Sequence, residues 1–279
     1  MSSPPKTWLA PAKINLFLHI NSKREDGYHN LQTIFQLLDF YDELTFATTD
    51  DGTIKRLSGN EQVSPEQDLI VRAAKLLQKT TQTSLGVNIS ILKRIPAGGG
   101  LGGGSSDAAT TLVALNQLWK TKLSQSELMQ LGLSLGADVP IFINAKSAWA
   151  EGVGEILSPI KTPNHVFLVV FVNQHTSTQE IFSHKALTMS PMIGKISDFS
   201  ELTNTHNDCL QAAIAQTDGI RFALKQLDLC SNLIGQARMS GTGSCVFAEF
   251  ANEKDALVAL KKMPKKWMSF TAKAINTSP

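Results

Sequence analysis

Between Ile14 and Ile20 the chain alternates: Ile14, Leu16, Leu18 and Ile20 fall in one phase, and Asn15, Phe17 and His19 in the other. A period of two predicts a half-buried strand that begins just after Pro11-Ala12-Lys13 and leaves Lys13 at its entrance. Leu31 to Phe46 reads as further strands separated by an acidic turn at Asp42-Glu43, and Val87, Ile89 and Ile91 alternate into a strand that feeds Pro96. Helical spacing predicts a helix over Leu69–Gln78 and another over Ser105–Lys120, where Ala108, Leu112, Leu115 and Trp119 recur at that spacing. Ser124 and Glu127 have capping-box spacing at the start of a third helix, which is expected to end at Gly136 as its C′ glycine. Asp138 then falls in a short loop before a predicted strand, Ile141–Ile143. The second half predicts a strand over Val166–Val172, a short helix near Ile181, helices around Leu210 and Phe222, a strand over Cys245–Phe250, a helix over Glu253–Met263 and a closing strand. Pro159 and Pro163 bracket a polar turn, which marks the expected boundary between domains of residues 1–160 and 161–279.

Composition narrows the class of function. The 279 residues are 42% hydrophobic and 18% charged, enough for a sizeable core and for two ordinary domains. Basic and acidic residues number 26 and 24 and are interspersed, so no field points to nucleic acid or to an anionic membrane, and no obligate protein partner is evident. The one basic cluster, Lys261, Lys262, Lys265 and Lys266, continues a terminal helix and reads as a solvated face. Cys209, Cys230 and Cys245 have neither disulfide-framework nor metal spacing and read as buried free thiols in a reducing compartment. The first ten residues carry no apolar leader core, and the longest apolar run, near Val166–Val172, is far below the roughly 20 residues of a membrane helix. A cytoplasmic protein is expected.

The most informative stretch is Pro96-Ala97-Gly98-Gly99-Gly100-Leu101-Gly102-Gly103-Gly104-Ser105-Ser106-Asp107, with six glycines in the seven residues from 98 to 104. Such a loop lets successive N–H groups converge on an anion, and a helix N-terminus following it adds unpaired donors and the helix dipole. A flexible linker is the plain alternative, but linkers do not ordinarily join an alternating strand to a helix. The loop is not a P-loop, because Gly104 stands where GxxxxGK[ST] requires lysine. Gly98, Gly100 and Gly103 satisfy a dinucleotide-binding GxGxxG only because nearly every residue there is glycine, and no acidic residue ends a second strand about 20 positions on. The catalytic loop and DFG motif of protein kinases are missing as well.

The run PAGGGLGGGSSDAA resembles the second motif of the GHMP kinases, a superfamily of small-molecule kinases. Pro11-Ala12-Lys13-Ile14-Asn15-Leu16 resembles the N-terminal motif of that superfamily, and Ser240-Gly241-Thr242-Gly243 its C-terminal glycine motif. REDGYHNLQTIFQLLDFYD, LGADVPIFI, AEGVGE and MSGTGSCVFAEF extend the resemblance nearly end to end. They are similar to the branch that phosphorylates the 2-hydroxyl of a polyol carrying a cytidine diphosphate group, in non-mevalonate isoprenoid synthesis. The resemblance implies an α+β, two-domain GHMP kinase fold with the active site in the cleft between domains, and the use of ATP with Mg²⁺.

It also implies roles, residue by residue. Asp138 would be the base that receives the acceptor proton, with Lys13 beside it to hold it and to offset charge on the transferring group. Read without the resemblance, Asp138 is a turn aspartate and Lys13 a surface lysine. From the alternation alone, Asn15, in the opposite phase to Ile14 and Leu16, is expected to face the cleft and bond the substrate, a solvent-facing asparagine being the plain alternative. Tyr28 and Phe182 would stack cytosine while His29 reads the base edge, with Thr178 assisting. Pro96, Ala97, Gly98, Gly99, Gly100, Leu101, Gly102, Gly103, Gly104, Ser105 and Ser106 would cradle the ATP phosphates, with one of the two serines on phosphate or Mg²⁺. The chain departs from the family pattern at Asp68-Leu69, where Asn-Leu is expected near adenine; a carboxylate accepts from the adenine amino group but cannot donate to a ring nitrogen. Asn207-Asp208 also matches a family element and reads as structural.

Overall fold

The computed structural model describes residues 6–59, 63–196 and 205–279; the start of the segment read above as lacking a leader, residues 1–5, lies outside them. Ten strands and eight helices are formed among the described residues. The strand β1 (Thr7–Lys23) pairs antiparallel with the long β2 (His29–Thr49) through a turn at Arg24–Tyr28. β2 is the hub of the sheet. It also pairs with β4 (Gly86–Leu92), β5 (Ala148–Glu151) and β10 (Met268–Ile275), and β3 (Ile54–Ser58) adds to β4 in parallel. β6 (Ile156–Pro159) closes a hairpin with β5. β10 carries the sheet onward to β7 (Val166–Phe171), then β9 (Cys245–Phe250) and β8 (Leu233–Met239).

Helices α1 (Leu69–Thr81), α2 (Gly103–Leu118), α3 (Gln125–Leu135) and α4 (Val139–Asn144) cover the first half of the sheet around Phe35, Leu37, Leu112 and Leu115. Helices α6 (Leu210–Gln216), α7 (Asp218–Asp228) and α8 (Glu253–Leu260), after the short α5 (Thr178–Ser183), pack on the second half around Val170, Ile220 and Val246. A third apolar cluster, with Ile14, Phe17, Phe167 and Phe247, joins the halves beneath β1. The capping box on α3 forms as its spacing predicts. The three cysteines are buried and free, and Lys261, Lys262, Lys265 and Lys266 are solvated. Among the described residues no helix is long and apolar enough to cross a membrane.

Four local expectations are corrected. Asp42-Glu43 is no turn: both residues lie inside β2, where Asp42 is buried and its carboxylate accepts from the backbone N–H of Arg94 and Ile95 and from Lys93. The segment Ile141–Ile143 is helical, because Pro140 sits in the first turn of α4, where its fixed φ and missing N–H favour helix initiation. Gly136 ends α3 with φ 173°, extended rather than left-handed. Finally, β1 is not half-buried, since every residue from Ala10 to Ile20 is buried. Its outer edge, which has no strand partner among the described residues, is covered instead by three distant segments. Lys13 N–H donates to Leu101 O (2.9 Å), Asn15 N–H to Ser240 Oγ (3.1 Å), Leu18 N–H to His206 O (2.9 Å) and Ile20 N–H to Asp208 Oδ2 (2.7 Å).

The covering segment from His206 onward buries His19 with neither ring nitrogen hydrogen-bonded among the described residues. Burial, and then the neighbouring His206, lower its pKa from the ordinary 6.5, against the opposing pull of Asp208. The fold therefore holds the imidazole neutral, while the unfolded chain takes up a proton as pH falls through 6.5. Stability should accordingly decline on acidification through this range. Melting curves of the parent and of His19→Phe between about pH 8 and pH 5.5 test this. The parent is expected to lose more stability over that interval, and parallel curves would remove His19 as a cause.

Candidate active site

The short connection between β4 and α2 must reverse the chain and start a helix within a dozen residues, and its glycines make this possible. Gly100 has φ 75°, and a β-carbon there would run into the main-chain oxygen of Ser240. Gly102 has φ 73° and occupies the N-cap position of α2 without any side-chain cap; a β-carbon there would lie 2.7 Å from Phe142 Cζ and 3.2 Å from Lys13 Cε. Both conformations are unfavourable for any residue with a side chain. The first turn of a 16-residue helix thus presents its donors and its dipole to the open space beyond Gly103 and Gly104.

That space is a cavity of about 1060 Å³ between the two halves of the molecule. Its far wall is the turn of the β8–β9 hairpin, Ser240–Ser244, where Ser240 Oγ donates to Gly100 O at 2.8 Å. Lys13 enters from β1 with its side chain almost wholly buried. Its Nζ donates to Asn15 Oδ1 at 2.7 Å, lies 3.2 Å from Asp138 Oδ2 and stands 5.2 Å from the centroid of the Phe35 ring. Asn15 is fixed in turn by donating from Nδ2 to Thr33 Oγ1 at 2.9 Å, and Thr33 donates to Phe17 O. Asp138 occupies the N-cap position of α4 but makes no cap hydrogen bond, so its carboxylate, about a third exposed, faces the ammonium and the cavity.

Most residues singled out from the sequence converge here. Lys13, Asn15, Tyr28, His29, Thr178, Phe182 and Asp138 line the cavity, as do Pro96, Ala97, all six glycines of the loop and Ser105. Leu101 is fully buried behind the loop and holds Lys13 through its carbonyl. Ser106 is fully buried too, and its hydroxyl does not reach the cavity. The aromatic end differs from a preformed clamp: His29 stacks on Phe182 with centroids 5.2 Å apart, while Tyr28 is 60% exposed. Burial, followed by the charge of Lys23, lowers the pKa of His29, which leaves it a neutral imidazole with one donor and one acceptor. Thr178 Oγ1 lies 3.1 Å from Thr242 Oγ1. Asp68 is explained by its own end of the cavity, where it caps α1 by accepting from Ile70 N–H at 3.0 Å and pairs with Arg56.

Several residues at the site were missed. Thr33 supports Asn15, His175 packs on Gly98, and Lys93 bridges Asp42 at 2.5 Å and Asp107 at 2.6 Å beneath the loop. Burial raises the pKa of Asp107 and Asp42 adds to the rise, against the opposing pull of Lys93. A signal for Thr33 existed in its place on the strand opposite Leu18, but only once the register was known. His175 and Lys93 belong to no motif.

Residues 68–146 match the family model of the GHMP kinases N terminal domain, and residues 193–268 that of GHMP kinases C terminal. Fold and site together define a small-molecule kinase of the GHMP class. The 4-diphosphocytidyl-2-C-methyl-D-erythritol kinase of Ruthia magnifica subsp. Calyptogena magnifica is 74% identical over 98% of this chain and 96% of its own length. That of Alkalilimnicola ehrlichii is 51% identical over 97% and 91%. A crystal structure of 4-(cytidine 5'-diphospho)-2C-methyl-D-erythritol kinase superposes with a TM-score of 0.82 at 30% identity, covering 96% of this chain and 99% of that one. The mevalonate kinase of Methanococcus jannaschii shares the fold at a TM-score of 0.71 and 18% identity, covering 99% of this chain and all of that one. The chain belongs to the 4-diphosphocytidyl-2-C-methyl-D-erythritol kinase family, within the GHMP kinases.

The loop geometry makes opposite demands at two glycines. Gly100→Ala meets both a left-handed φ and a fixed carbonyl, and should cost at least about 1–2 kcal/mol. Gly104 lies in the first turn of α2 with only Leu69 Cδ1, at 3.5 Å, near a built β-carbon. Gly104→Ala should therefore leave stability unchanged or raise it by up to about 1 kcal/mol, from helix propensity. Urea unfolding of the two variants measures the contrast, and equal midpoints would contradict it.

Proposed function

We propose that this kinase transfers the γ-phosphoryl group of ATP to the 2-hydroxyl of 4-diphosphocytidyl-2-C-methyl-D-erythritol, with Lys13 and Asp138 at the reacting centre. The observation that carries the reading is the Lys13–Asp138 pair, 3.2 Å apart, in the cavity that the uncapped start of α2 opens onto. The acceptor oxygen attacks the γ-phosphorus while the bond from that phosphorus to the β,γ-bridging oxygen breaks, and ADP departs with the electron pair. The acceptor proton passes to Asp138 Oδ2. Phosphoryl transfer has a loose transition state, so alignment and charge stabilisation matter more than base strength. A carboxylate suffices as proton acceptor because the hydroxyl becomes acidic as its bond to phosphorus forms. Lys13, held by Asn15, keeps Asp138 in place and supplies positive charge beside the transferring oxygens.

The phosphates of ATP would lie along Pro96–Ser105, on the amides that open glycine conformations expose and at the positive end of α2. These residues fit a polyphosphate: the turn is uncapped, and positive-φ glycines keep side chains out of the approach. Mg²⁺ would be held chiefly by phosphate oxygens, with the Ser105 hydroxyl in reach. Among the described residues no cluster of three His, Cys, Asp or Glu side chains offers a protein-only site, and Mg²⁺ commonly binds by such sharing. Bound there, the ion would supply charge neutralisation on the phosphates. Ser106, buried, has no part in this reading. Residues 1–160 would form the ATP-binding half and residues 161–279 the second half, with the transfer taking place in the cleft.

Cytosine would stack between Tyr28 and Phe182. The 5.2 Å gap between His29 and Phe182 is too narrow for a base between those two rings, which leaves His29 to meet the base edge. Its neutral ring can both donate and accept, as cytosine N3 and N4 require. Remote binding of the cytidine end then positions a small flexible polyol for reaction.

Two measurements test the assignment. Asp138→Asn should lower turnover by at least about a hundredfold while nucleotide affinity stays near the parent's, from the usual size of general-base assistance. Near-parental turnover would remove Asp138 from the reaction. Phe182→Ala should raise KM for the cytidylylated substrate about tenfold with KM for ATP unchanged, from the loss of one stacking contact. A matching rise for ATP, or equally good phosphorylation of the free polyol, would refute the cytidine assignment.

A further inference from the structure

Asn207 and Asp208 leave the cavity to other residues, yet both touch the elements that build it. Asn207 is buried, and both amide hydrogens and the carbonyl oxygen of its side chain are hydrogen-bonded. Its Nδ2 donates to Met239 O at 2.9 Å and to Gly241 O at 2.8 Å, and its Oδ1 accepts from Cys209 N–H at 2.9 Å. Two carbonyl acceptors at one nitrogen fix the orientation of the amide. The carbonyls belong to either end of the step from β8 into the Ser240–Ser244 turn. That turn grips both catalytic elements: Ser240 accepts from Asn15 N–H on β1 and donates to Gly100 O in the glycine loop. Asp208 ties the same segment to β1 a few residues further on, accepting from Ile20 N–H at 2.7 Å, while Leu18 O accepts from Asp208 N–H at 2.8 Å. Its second oxygen accepts from Thr188 Oγ1 at 2.7 Å and Ser190 Oγ at 3.0 Å.

We infer that Asn207 is a positioning residue for phosphoryl transfer: its amide sets the Ser240–Ser244 turn against β1 and the glycine loop, with Asp208 as the anchor that seats it. The inference rests on the placement of the reaction at Lys13 and Asp138. A side chain that only filled space would need no donors here, whereas this one spans the joint between the hairpin turn and β1. The register of Lys13 relative to the glycine loop then depends on a group that contacts neither substrate. Misplacement of reacting groups by about 1 Å can cost on the order of a hundredfold in rate, so a modest slackening of the turn should register in turnover.

Asn207→Asp is nearly isosteric but replaces the double donor with oxygen facing two carbonyls. Asn207→Ala removes the donors without that repulsion and serves if the aspartate variant does not fold. Leu227→Ala, in the buried face of α7 away from the cavity, supplies a control that loses stability by core truncation alone. Amide hydrogen exchange over residues 240–245 is measured on the free proteins, and kinetics are measured well below each melting midpoint. For Asn207 variants, faster exchange over 240–245 is expected, together with a drop in kcat of about tenfold or more and KM for ATP within about threefold of the parent, a split that marks lost alignment. Leu227→Ala should keep the parental kcat and the parental exchange in that segment. Parental exchange at 240–245 in the Asn207 variants would overturn the inference, as would parental kcat despite faster exchange, or an equal loss of kcat in Leu227→Ala. Because exchange is read without substrate, its outcome is independent of Asp138→Asn, whose full activity would overturn the reaction centre and not the clamp.

Discussion

The outer hydrogen-bonding edge of β1, which no strand completes among the described residues, is the constraint from which the site follows. β1 has a strand partner on one side only, and a buried backbone donor left without an acceptor costs about as much as a lost hydrogen bond. This chain meets the demand with three segments drawn from positions near 101, 207 and 240. Each is a loop or turn. Satisfying the edge therefore brings the glycine loop, the hairpin turn and the Asn207 segment to successive positions along one rigid strand. The strand's other duty, to carry Lys13 and Asn15, places those side chains between the segments it has gathered.

Lys13 shows how the arrangement is balanced. Burying an ammonium group is costly unless it is paired and hydrogen-bonded, and here it finds Asn15, Asp138 and the face of Phe35. Asn15 could not serve alone if it were free to rotate, and Thr33 and the Phe17 carbonyl prevent that. A second ionic cluster works on the opposite side of the loop, where Lys93 sits between Asp42 and Asp107 and ties the start of α2 to β2. The glycine loop is thus bracketed by two lysines. One is turned into the cleft and the other clamps the helix, and the loop's own conformational freedom is confined by both.

Much of this was legible in the sequence. The alternation from Ile14 to Ile20 found the strand, although β1 begins at Thr7 and so holds Lys13 within it and not at its entrance, and helical spacing after the glycines located α2 to within two residues at each end. What could not be read was whatever depends on partners far away in the chain. Asp42-Glu43 looks like a turn because two adjacent acids are rare inside a strand, yet Asp42 is satisfied by Lys93 and by the main chain of Arg94 and Ile95, more than fifty residues on. The apolar run after Asp138 is too short for its period to distinguish strand from helix, and Pro140 was the better guide. The alternation in β1 also suggested one wet face, because nothing in its own residues reveals that other segments cover it. Ser105 and Ser106 are equivalent on paper and separate only when the helix turns one outward and the other into the core.

Asp138 brings these threads together. As the residue before Val139-Pro140 it stands where a helix ordinarily takes a side-chain cap, and aspartate is among the best residues for that task. It declines the role, with φ −84° and ψ −8° and no cap bond. Pro140 lessens the loss, since a proline in the first turn removes one of the donors a cap would have served. The helix stays short, and the carboxylate is released to the ammonium across the cleft. A stabilising local interaction has been given up at the one position where a free carboxylate beside Lys13 has a use, and the helix sequence makes that sacrifice small. The same reasoning explains Gly102, another N-cap position without a capping side chain. Serine or aspartate there would satisfy the first turn of α2, but it would also crowd Phe142 and Lys13 and occupy the donors that a phosphate would need. Of the helix starts along the cavity, α1 and α5 are capped by Asp68 and Ser177, whereas α2 and α4, the two that flank Lys13, are left without a side-chain cap, which is what a site completed by its substrates requires.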